Sequence, residues 1–114
     1  MIVREFRVNA GCEKDFESVF GRDGVWAELL QRGSEGFIET ELQIVSPDDR
    51  SYKVRDSWKS HWDFELFRAG HQYEVEQFRK WLADKDLVAQ ETLLGSFYSD
   101  EPDGDEDAGL VQTS

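Results

Sequence analysis

The chain has 114 residues, of which 39% are hydrophobic and 13% are aromatic. This length and composition are typical of one globular domain with its own core, and they exclude a chain that is disordered throughout. The net charge of −12 disfavours phosphate backbones and anionic membrane surfaces. No apolar run is long enough to span a bilayer. We therefore expect neither a nucleic-acid partner nor a membrane partner.

Cys12 is the only cysteine, so we expect no intrachain disulfide and no cysteine-based zinc site. It follows Gly11 near a predicted helix start and is interpreted as a small structural residue, although a thiolate would be favoured at such a position. The first residues enter a strand pattern directly, without the basic and apolar segments of a secretory leader. We therefore expect a cytoplasmic protein.

The first elements along the chain are a strand and a divided helix. Apolar and polar residues alternate over residues 2–9, which predicts a half-buried strand with Ile2, Phe6 and Val8 on its core side. Apolar residues then recur at helical spacing over residues 16–30. The sequence Gly21-Arg22-Asp23-Gly24 interrupts this spacing, so we expect a helix that is bent or split there, with Asp23 as the new N-cap.

A hairpin and a second helical region follow. Residues 36–46 and 52–58 alternate around Pro47-Asp48-Asp49, whose residue types are typical of turns. The second strand ends at Trp58, and Ser60 is expected to cap a helix over residues 61–69, with Asp63 completing a capping box. Gly70 is expected to end that helix. A further helical run and a last strand, over residues 88–98, complete the pattern.

The order strand–helix–strand–strand–helix–strand predicts an α+β, ferredoxin-like βαββαβ fold over residues 1–98. In this fold a four-stranded antiparallel sheet carries its helices on one face. Residues 99–114 hold six acidic residues and no Lys or Arg, and we expect this acidic tail to be mobile. The face expected against the helices carries Phe6, Ile38, Leu42, Val54 and Trp58. The other face carries Val3, Glu5, Arg7, Phe37, Glu39, Glu41, Val45 and Arg55. Two interpretations of that second face stay open: it faces water, or it packs on a second copy of the chain.

Several segments, in this order along the chain, resemble the antibiotic biosynthesis monooxygenase (ABM) family. They are Gly24-Val25-Trp26-Ala27, Gly36-Phe37, Thr40-Glu41-Leu42, Asp56-Ser57-Trp58-Lys59-Ser60, Phe64, Phe67-Arg68, His71 and Gly95-Ser96-Phe97. The resemblance spans about Met1 to Tyr98 and implies a dimeric α/β barrel, and hence a homodimer. It also implies oxidation of an aromatic, polyketide-like compound by molecular oxygen, without metal or flavin, between the sheet and the helices. Related members degrade haem.

The family's site residues carry over only in part. In quinone-forming members, an asparagine precedes the strand tryptophan by four residues and a tyrosine follows it by six. Here Trp58 matches, while Val54 and Phe64 stand at the other two positions. In haem-degrading members, His71 would match the working histidine, but Phe67 stands where the tryptophan would be. The polar groups of both known chemistries are therefore incomplete in this sequence.

The candidate catalytic residues are Trp58 and His71. A histidine with an ordinary pKa near 6.5 can take a phenolic proton and form the anion that reacts with oxygen. The alternative interpretations are a histidine that only flanks a helix, and a core tryptophan whose indole N–H binds a backbone carbonyl. The residues expected to line a ligand pocket are Trp26, Val54, Phe64, Phe67 and Tyr73.

Neither a metal nor another cofactor is expected. His61 and Glu65 can share one helix face, but two ligands do not make a metal site. No nucleophile motif, phosphate loop or dinucleotide fingerprint is present. The leading hypothesis is a cofactor-independent monooxygenase that acts on a small aromatic molecule. The alternatives are a non-catalytic dimer that binds a small molecule and, third, a haem-degrading protein.

Overall fold

A computed structural model describes residues 1–96. Its elements are β1 (Ile2–Val8), α1 (Glu13–Phe20), α2 (Val25–Gly33), β2 (Phe37–Ser46), β3 (Ser51–Trp58), α3 (His61–Gly70), α4 (Gln72–Lys85) and β4 (Val88–Ser96). The element order agrees with the sequence prediction, and each helical region consists of two helices. Residues 97 and 98 of the predicted last strand, and the acidic tail, lie outside the described residues.

The four strands form one sheet in the order β2-β3-β1-β4, and each neighbouring pair is antiparallel. The core lies between this sheet and the helices. Side chains from β1 and β3 pack there with side chains from all four helices. The rings of Phe6, Phe16 and Phe20 stand at its centre, with centroids 5.0–5.2 Å apart. The predicted ferredoxin-like α+β fold is confirmed.

The first helical region is divided where the sequence predicts, but the N-cap of α2 is Gly24 and not Asp23. The backbone turns so tightly at Gly24 that a Cβ there would lie 2.5 Å from the carbonyl oxygen of Val19. Only glycine fits this turn. The carbonyl of Gly24 then accepts the first helical hydrogen bond, from the N–H of Glu28, at 3.0 Å.

The junction between β3 and α3 forms largely as predicted. Ser60 caps α3, since its hydroxyl oxygen accepts a hydrogen bond from the N–H of Asp63 at 3.1 Å. In a full capping box the carboxylate would bind the backbone N–H of Ser60. Here the Asp63 carboxylate instead accepts the Ser60 hydroxyl, at 2.9 Å. Gly70 is the last residue of α3, and His71 separates α3 from α4.

The predicted orientation of Phe37 and Ile38 is wrong. An irregularity in the pairing of β2 with β3 falls between Phe37 and Glu39. An irregularity of this kind inverts the alternation of side chains beyond it. Phe37 therefore faces the helices, with its ring centroid 5.5 Å from that of Trp58. Ile38 lies on the opposite face and is 55% exposed.

No helix within residues 1–96 combines the length and the apolar character needed to cross a membrane.

Candidate functional site

A cavity of about 260 Å³ lies between the sheet and helices α2, α3 and α4. Its walls are largely aromatic and aliphatic. The apolar lining residues are Ile2, Trp26, Leu30, Trp58, Phe64, Phe67, Val75 and Leu93. The charged lining residues are Arg4, Asp56, Arg68 and Arg79. A concave apolar space with a few converging polar groups is the usual form of a small-molecule site.

Four of the residues predicted to form a ligand site meet at this cavity: Trp26, Trp58, Phe64 and Phe67. Trp58 packs on two of the others, with its ring centroid 5.6 Å from that of Phe64 and 5.4 Å from that of Phe67. The strand end thus supplies one wall, and the first two turns of α3 supply the opposing one. The Ser60 cap fixes the start of α3 and so sets where Phe64 and Phe67 lie.

The indole N–H of Trp58 has no hydrogen-bond acceptor among residues 1–96, although Trp58 is only 6% exposed. This differs from the interpretation of Trp58 as a core residue bound to a backbone carbonyl. A buried donor without an acceptor costs on the order of 1–3 kcal/mol, which is why such donors are uncommon in folded proteins. Trp58 therefore combines a cavity wall with an unused polar group.

Asp56 joins three elements at the cavity, and it is not among the site residues predicted from the sequence. One carboxylate oxygen accepts the Thr40 hydroxyl of β2 at 2.8 Å. The other accepts the Trp26 indole N–H of α2 and the Arg4 guanidinium of β1, each at 3.0 Å. Asp56 is only 3% exposed, and both of its oxygens are occupied by donors. The carboxylate thus holds one side of the cavity together.

Arg4 is the second charged residue that sequence reasoning missed. Its guanidinium is buried, binds Asp56, and lies 3.5 Å from the Glu91 carboxylate of β4. The guanidinium carbon of Arg4, Cζ, lies 5.0 Å from the ring centroid of Trp26, which adds a cation–π contact. Like the Trp58 indole nitrogen, Nε of Arg4 is buried and has no acceptor within the described chain.

Two further arginines stand at the outer part of the cavity. Arg79 binds both oxygens of Glu91, at 3.3 Å and 3.4 Å. Arg68 stacks over the Phe64 ring at 5.9 Å, and its side chain is 69% exposed. Leu93 beside them is also exposed. The cavity therefore opens to the surface at a rim with two arginines, each of which has a glutamate partner: Glu91 for Arg79, and Glu65, at 3.7 Å, for Arg68.

The structure places His71 outside the residues that line the cavity. Its ring stacks on Phe67, with a centroid distance of 4.9 Å and an interplanar angle of 18°. Its Nδ1 lies 3.5 Å from the carboxylate of Glu74, one turn further along α4. Phe67 is the lining residue through which His71 adjoins the cavity.

The two other predicted lining residues lie elsewhere. Val54 is fully buried in the core, where its neighbours in the sheet are Arg4 and Leu42. Tyr73 is 70% exposed and lines a shallow groove on the outer surface, between α2 and α4. The spacing of apolar residues in α4 does not distinguish the side of the helix that faces the cavity from the side that faces this groove.

His61 and Glu65 do share one helix face, with Nε2 and Oε2 3.1 Å apart. Within residues 1–96, no three His, Cys, Asp or Glu side chains are grouped as metal ligands would be. None of the residues that line the cavity is a histidine, a cysteine or a tyrosine, so the lining offers no side chain of the kinds that bind haem iron.

Comparisons with known proteins support the fold and go no further. No family model matches the chain, and no curated protein matches it. The crystal structure of PA3566 from Pseudomonas aeruginosa is similar over 86% of this chain and 90% of that one. The TM-score is 0.51 and the sequence identity is 12%. A likeness at this identity concerns the backbone architecture and carries no activity from one protein to the other.

Proposed function

We propose that the chain binds a small aromatic molecule in the cavity under Trp58 and oxidises it with molecular oxygen, without metal or flavin. The observation that carries the binding part is the cavity at which the aromatic residues Trp26, Trp58, Phe64 and Phe67 meet. The rings of a ligand would pack on the side chains of Trp26, Phe64 and Phe67. The oxidation part rests on the resemblance of the segments around Trp58 to the ABM family.

The volume of the cavity limits the size of the ligand. At about 260 Å³ it lies just below the range of roughly 300–1,000 Å³ that drug-sized ligands occupy. A compound with a few fused rings is therefore favoured over a large tetracycle. Haem is disfavoured for the same reason, and also because the lining contains no side chain suited to bind its iron.

The proposed reaction balances without a cofactor. A CH₂ group next to phenolic rings loses a proton to water, and the resulting carbanion adds O₂ to form a peroxide anion, which takes a proton back from water and becomes a hydroperoxide. Loss of water from the hydroperoxide leaves a ketone, so that CH₂ and O₂ become C=O and H₂O. The chain's task is to orient the rings and stabilise the negative charge of the anion. Arg4 is the buried cationic side chain of the lining, and its guanidinium is already paired with Asp56 and lies 3.5 Å from Glu91.

Oxygen uptake by the full chain tests this proposal, with anthrone and related phenolic bicyclic and tricyclic compounds as substrates. Wild type is expected to exceed the buffer rate, and Trp58→Phe to slow uptake severalfold. Trp62→Phe is the matched control, since Trp62 is 68% exposed and does not line the cavity. If wild type consumes no oxygen with any compound of the panel, the proposed oxidation is wrong.

The second candidate is a protein that binds the aromatic compound without converting it. Two observations favour it: His71 lies outside the lining, and Phe64 is apolar where quinone-forming relatives carry a tyrosine. Native mass spectrometry of protein purified from its own host distinguishes the two candidates. A bound compound that is released unchanged after incubation in air supports binding alone, and a bound oxidised product supports turnover.

A homodimer through the open sheet face is part of the proposal. That face carries three acidic and three basic residues, namely Glu5, Arg7, Glu39, Glu41, Lys53 and Arg55. In a two-fold symmetric dimer, the same surface of each copy meets at the interface. A surface with balanced charges can therefore pair its acidic groups with the basic groups of the second copy. Arg55 already binds Glu41 within one chain, at 3.1 Å. The uncovered face and its balanced charge together favour a second copy as its occupant.

A further inference from the structure

Two phenylalanines of α3, Phe64 and Phe67, line the cavity, and their surroundings differ. Phe67 is only 4% exposed. Its ring packs on Trp58, at a centroid distance of 5.4 Å, and on His71, at 4.9 Å. Gly33 also lies against this ring, so closely that a Cβ there would stand 2.4 Å from Cε1. Phe67 therefore belongs to the packed core, and its ring cannot shift without displacing a neighbour.

Phe64, one turn earlier in α3, lies at the border between the cavity and solvent. Its ring meets that of Trp58 nearly edge-on, at a centroid distance of 5.6 Å and an angle of 67°. It also contacts two exposed side chains: the Arg68 guanidinium at 5.9 Å and the His61 ring at 6.1 Å. These side chains are 69% and 48% exposed, and Phe64 itself is partly exposed. Phe64 therefore forms an outer part of the aromatic lining.

The volume of the cavity leaves room for few fused rings. A closed apolar cavity of about 150 Å³ holds one benzene molecule, which corresponds to about 25 Å³ for each carbon atom. On this scale naphthalene requires about 250 Å³ and pyrene about 400 Å³. The cavity measures about 260 Å³, so it has room for two fused rings and not for four. Removal of the six ring carbons of Phe64 would add about 150 Å³, enough to admit pyrene.

We propose that Phe64 sets the upper limit on the size of the ligand. This inference rests on the proposed binding function and names the residue that determines its specificity for size. Loss of the Phe67 ring would leave a hole in the core. Loss of the Phe64 ring enlarges the site where it borders solvent, and a larger ligand can fill that space. While the ring is present it excludes such a ligand, because a closely packed wall yields little to added volume.

A series of variants at residue 64 tests the proposal, with alanine, leucine or tryptophan in place of phenylalanine. The probes are 2-naphthol, with two fused rings, and 1-hydroxypyrene, with four. Each carries one hydroxyl group and fluoresces, so the anisotropy of its own fluorescence measures binding to the full chain. Wild type is expected to bind 2-naphthol at least roughly tenfold more tightly than 1-hydroxypyrene, as the cost of overpacking implies.

The preference for the larger probe is expected to rise as the side chain at residue 64 becomes smaller. Phe64→Ala should bind 1-hydroxypyrene at least roughly tenfold more tightly than wild type does, and 2-naphthol no more tightly. Phe64→Leu should lie between the two and keeps the position apolar. Phe64→Trp should weaken the binding of 2-naphthol severalfold. Trp62→Ala is the matched control, because it removes an aromatic ring from α3 at a 68% exposed position outside the lining. It should leave both affinities unchanged.

Urea unfolding establishes which variants are folded, and the outcomes then separate this inference from the proposed function. If wild type binds 2-naphthol and the ratio of the two affinities is the same in all folded variants, binding at the cavity stands and the role of Phe64 is wrong. The same holds if wild type binds both probes equally well, or if folded Phe64→Ala and Phe64→Leu bind neither. If wild type binds neither probe, binding of small aromatic compounds at the cavity fails together with the inference.

Discussion

At the scale of single residues, Asp56 connects the stability of the fold to the shape of the site. Its carboxylate is buried beside one guanidinium, one indole N–H and one hydroxyl, contributed by β1, α2 and β2. A buried ion pair adds little net stability compared with apolar residues of the same size. Removing one partner is nevertheless costly, since the other charge stays buried without compensation.

Asp56→Asn is expected to lower the free energy of unfolding by about 3–5 kcal/mol, because the Arg4 charge loses its closest partner and one oxygen acceptor becomes a donor. Urea unfolding followed by circular dichroism measures the change. Glu41→Gln is the control, since it breaks the exposed pair with Arg55 and should cost less than about 1 kcal/mol. Similar losses in the two variants would contradict the central role assigned to Asp56.

Tyr52 makes stability depend on alkaline pH. Burial, together with a hydrogen bond to the Glu17 carboxylate at 2.8 Å, raises the pKa of Tyr52 from 10.0 to about 12. Because the pKa of Tyr52 is higher in the folded chain than in the unfolded chain, its contribution to the free energy of unfolding is fully present at pH values below the unfolded pKa. This contribution is lost as pH rises from 10 to 12, because the unfolded chain releases the proton first.

The free energy of unfolding is expected to be higher for wild type than for Tyr52→Phe, and this difference is expected to decrease as pH rises from 10 to 12. Urea unfolding at several pH values measures it. At neutral pH the variant should be less stable by about 0.5–1.5 kcal/mol, through the lost hydrogen bond. Tyr73→Phe, at an exposed position, should follow the wild-type pH profile. A pH-independent difference between wild type and Tyr52→Phe would contradict the assignment.

Arg4 and Asp56 also show what sequence reasoning left out. Arg4 has the same strand parity as Ile2 and Phe6, and Asp56 has that of Val54 and Trp58, so simple alternation places both charges in the core. The prediction of faces passed over them because charged residues are rarely buried. Two opposite charges at inward positions of two strands are a signal of a buried pair, although only the strand pairing shows that they meet.

At the scale of elements, the contact between α2 and α3 sets the width of the cavity. Gly33, the last residue of α2, lies against the ring of Phe67 in α3. A Cβ at Gly33 would stand 2.4 Å from Cε1 of that ring. Since Phe67 lines the cavity and also stacks on His71, the absence of a side chain at Gly33 fixes the position of both rings.

Gly33→Ala is expected to displace the Phe67 ring and to lower the free energy of unfolding by about 1–3 kcal/mol, as overpacking does. Gly70→Ala is the matched control, since it adds the same methyl group at the last residue of α3, where no atom lies within 4 Å of the new Cβ. Urea unfolding gives the stabilities, and near-UV circular dichroism reports the aromatic packing. Equal behaviour of the two variants would show that the ring moves aside without cost.

The alternation of apolar and polar residues predicts which face of the sheet a side chain occupies in some strands and not in others. The strand prediction succeeds on β1 and β3, where the pairing of the two strands has no register shift. It fails at Phe37 and Ile38, where the pairing of β2 slips. A bulge depends on the geometry between two strands, so it leaves no mark in the alternation of one strand alone. That slip is what brings the Phe37 ring to Trp58.

At the scale of the whole molecule, the fold follows from the order of elements, and the site follows only in part. The aromatic residues of the lining were predictable because Trp58 ends a strand and Ser60 begins a helix. The charged lining was not, since Arg4 and Asp56 come from different strands and meet through tertiary packing. The homodimer concerns the opposite face of the same sheet, so it is tested by charges that lie away from the cavity.

Lys53→Glu is expected to convert the proposed homodimer into a monomer. Lys53 lies on β3 in the middle of the open face, opposite Glu5 and Gln43, and its reversal puts like charges together within and between the copies. Sedimentation equilibrium measures the mass of wild type and variant. Lys80→Glu changes the net charge equally at an exposed position of α4 and should leave the dimer intact. Urea unfolding of Lys53→Glu at low concentration establishes that the variant is folded. A stable interface buries at least roughly 1,200 Å² in total, and a homodimer held by such an interface should persist at micromolar concentration. A wild type that sediments as a single chain at that concentration would contradict the pairing of sheet faces.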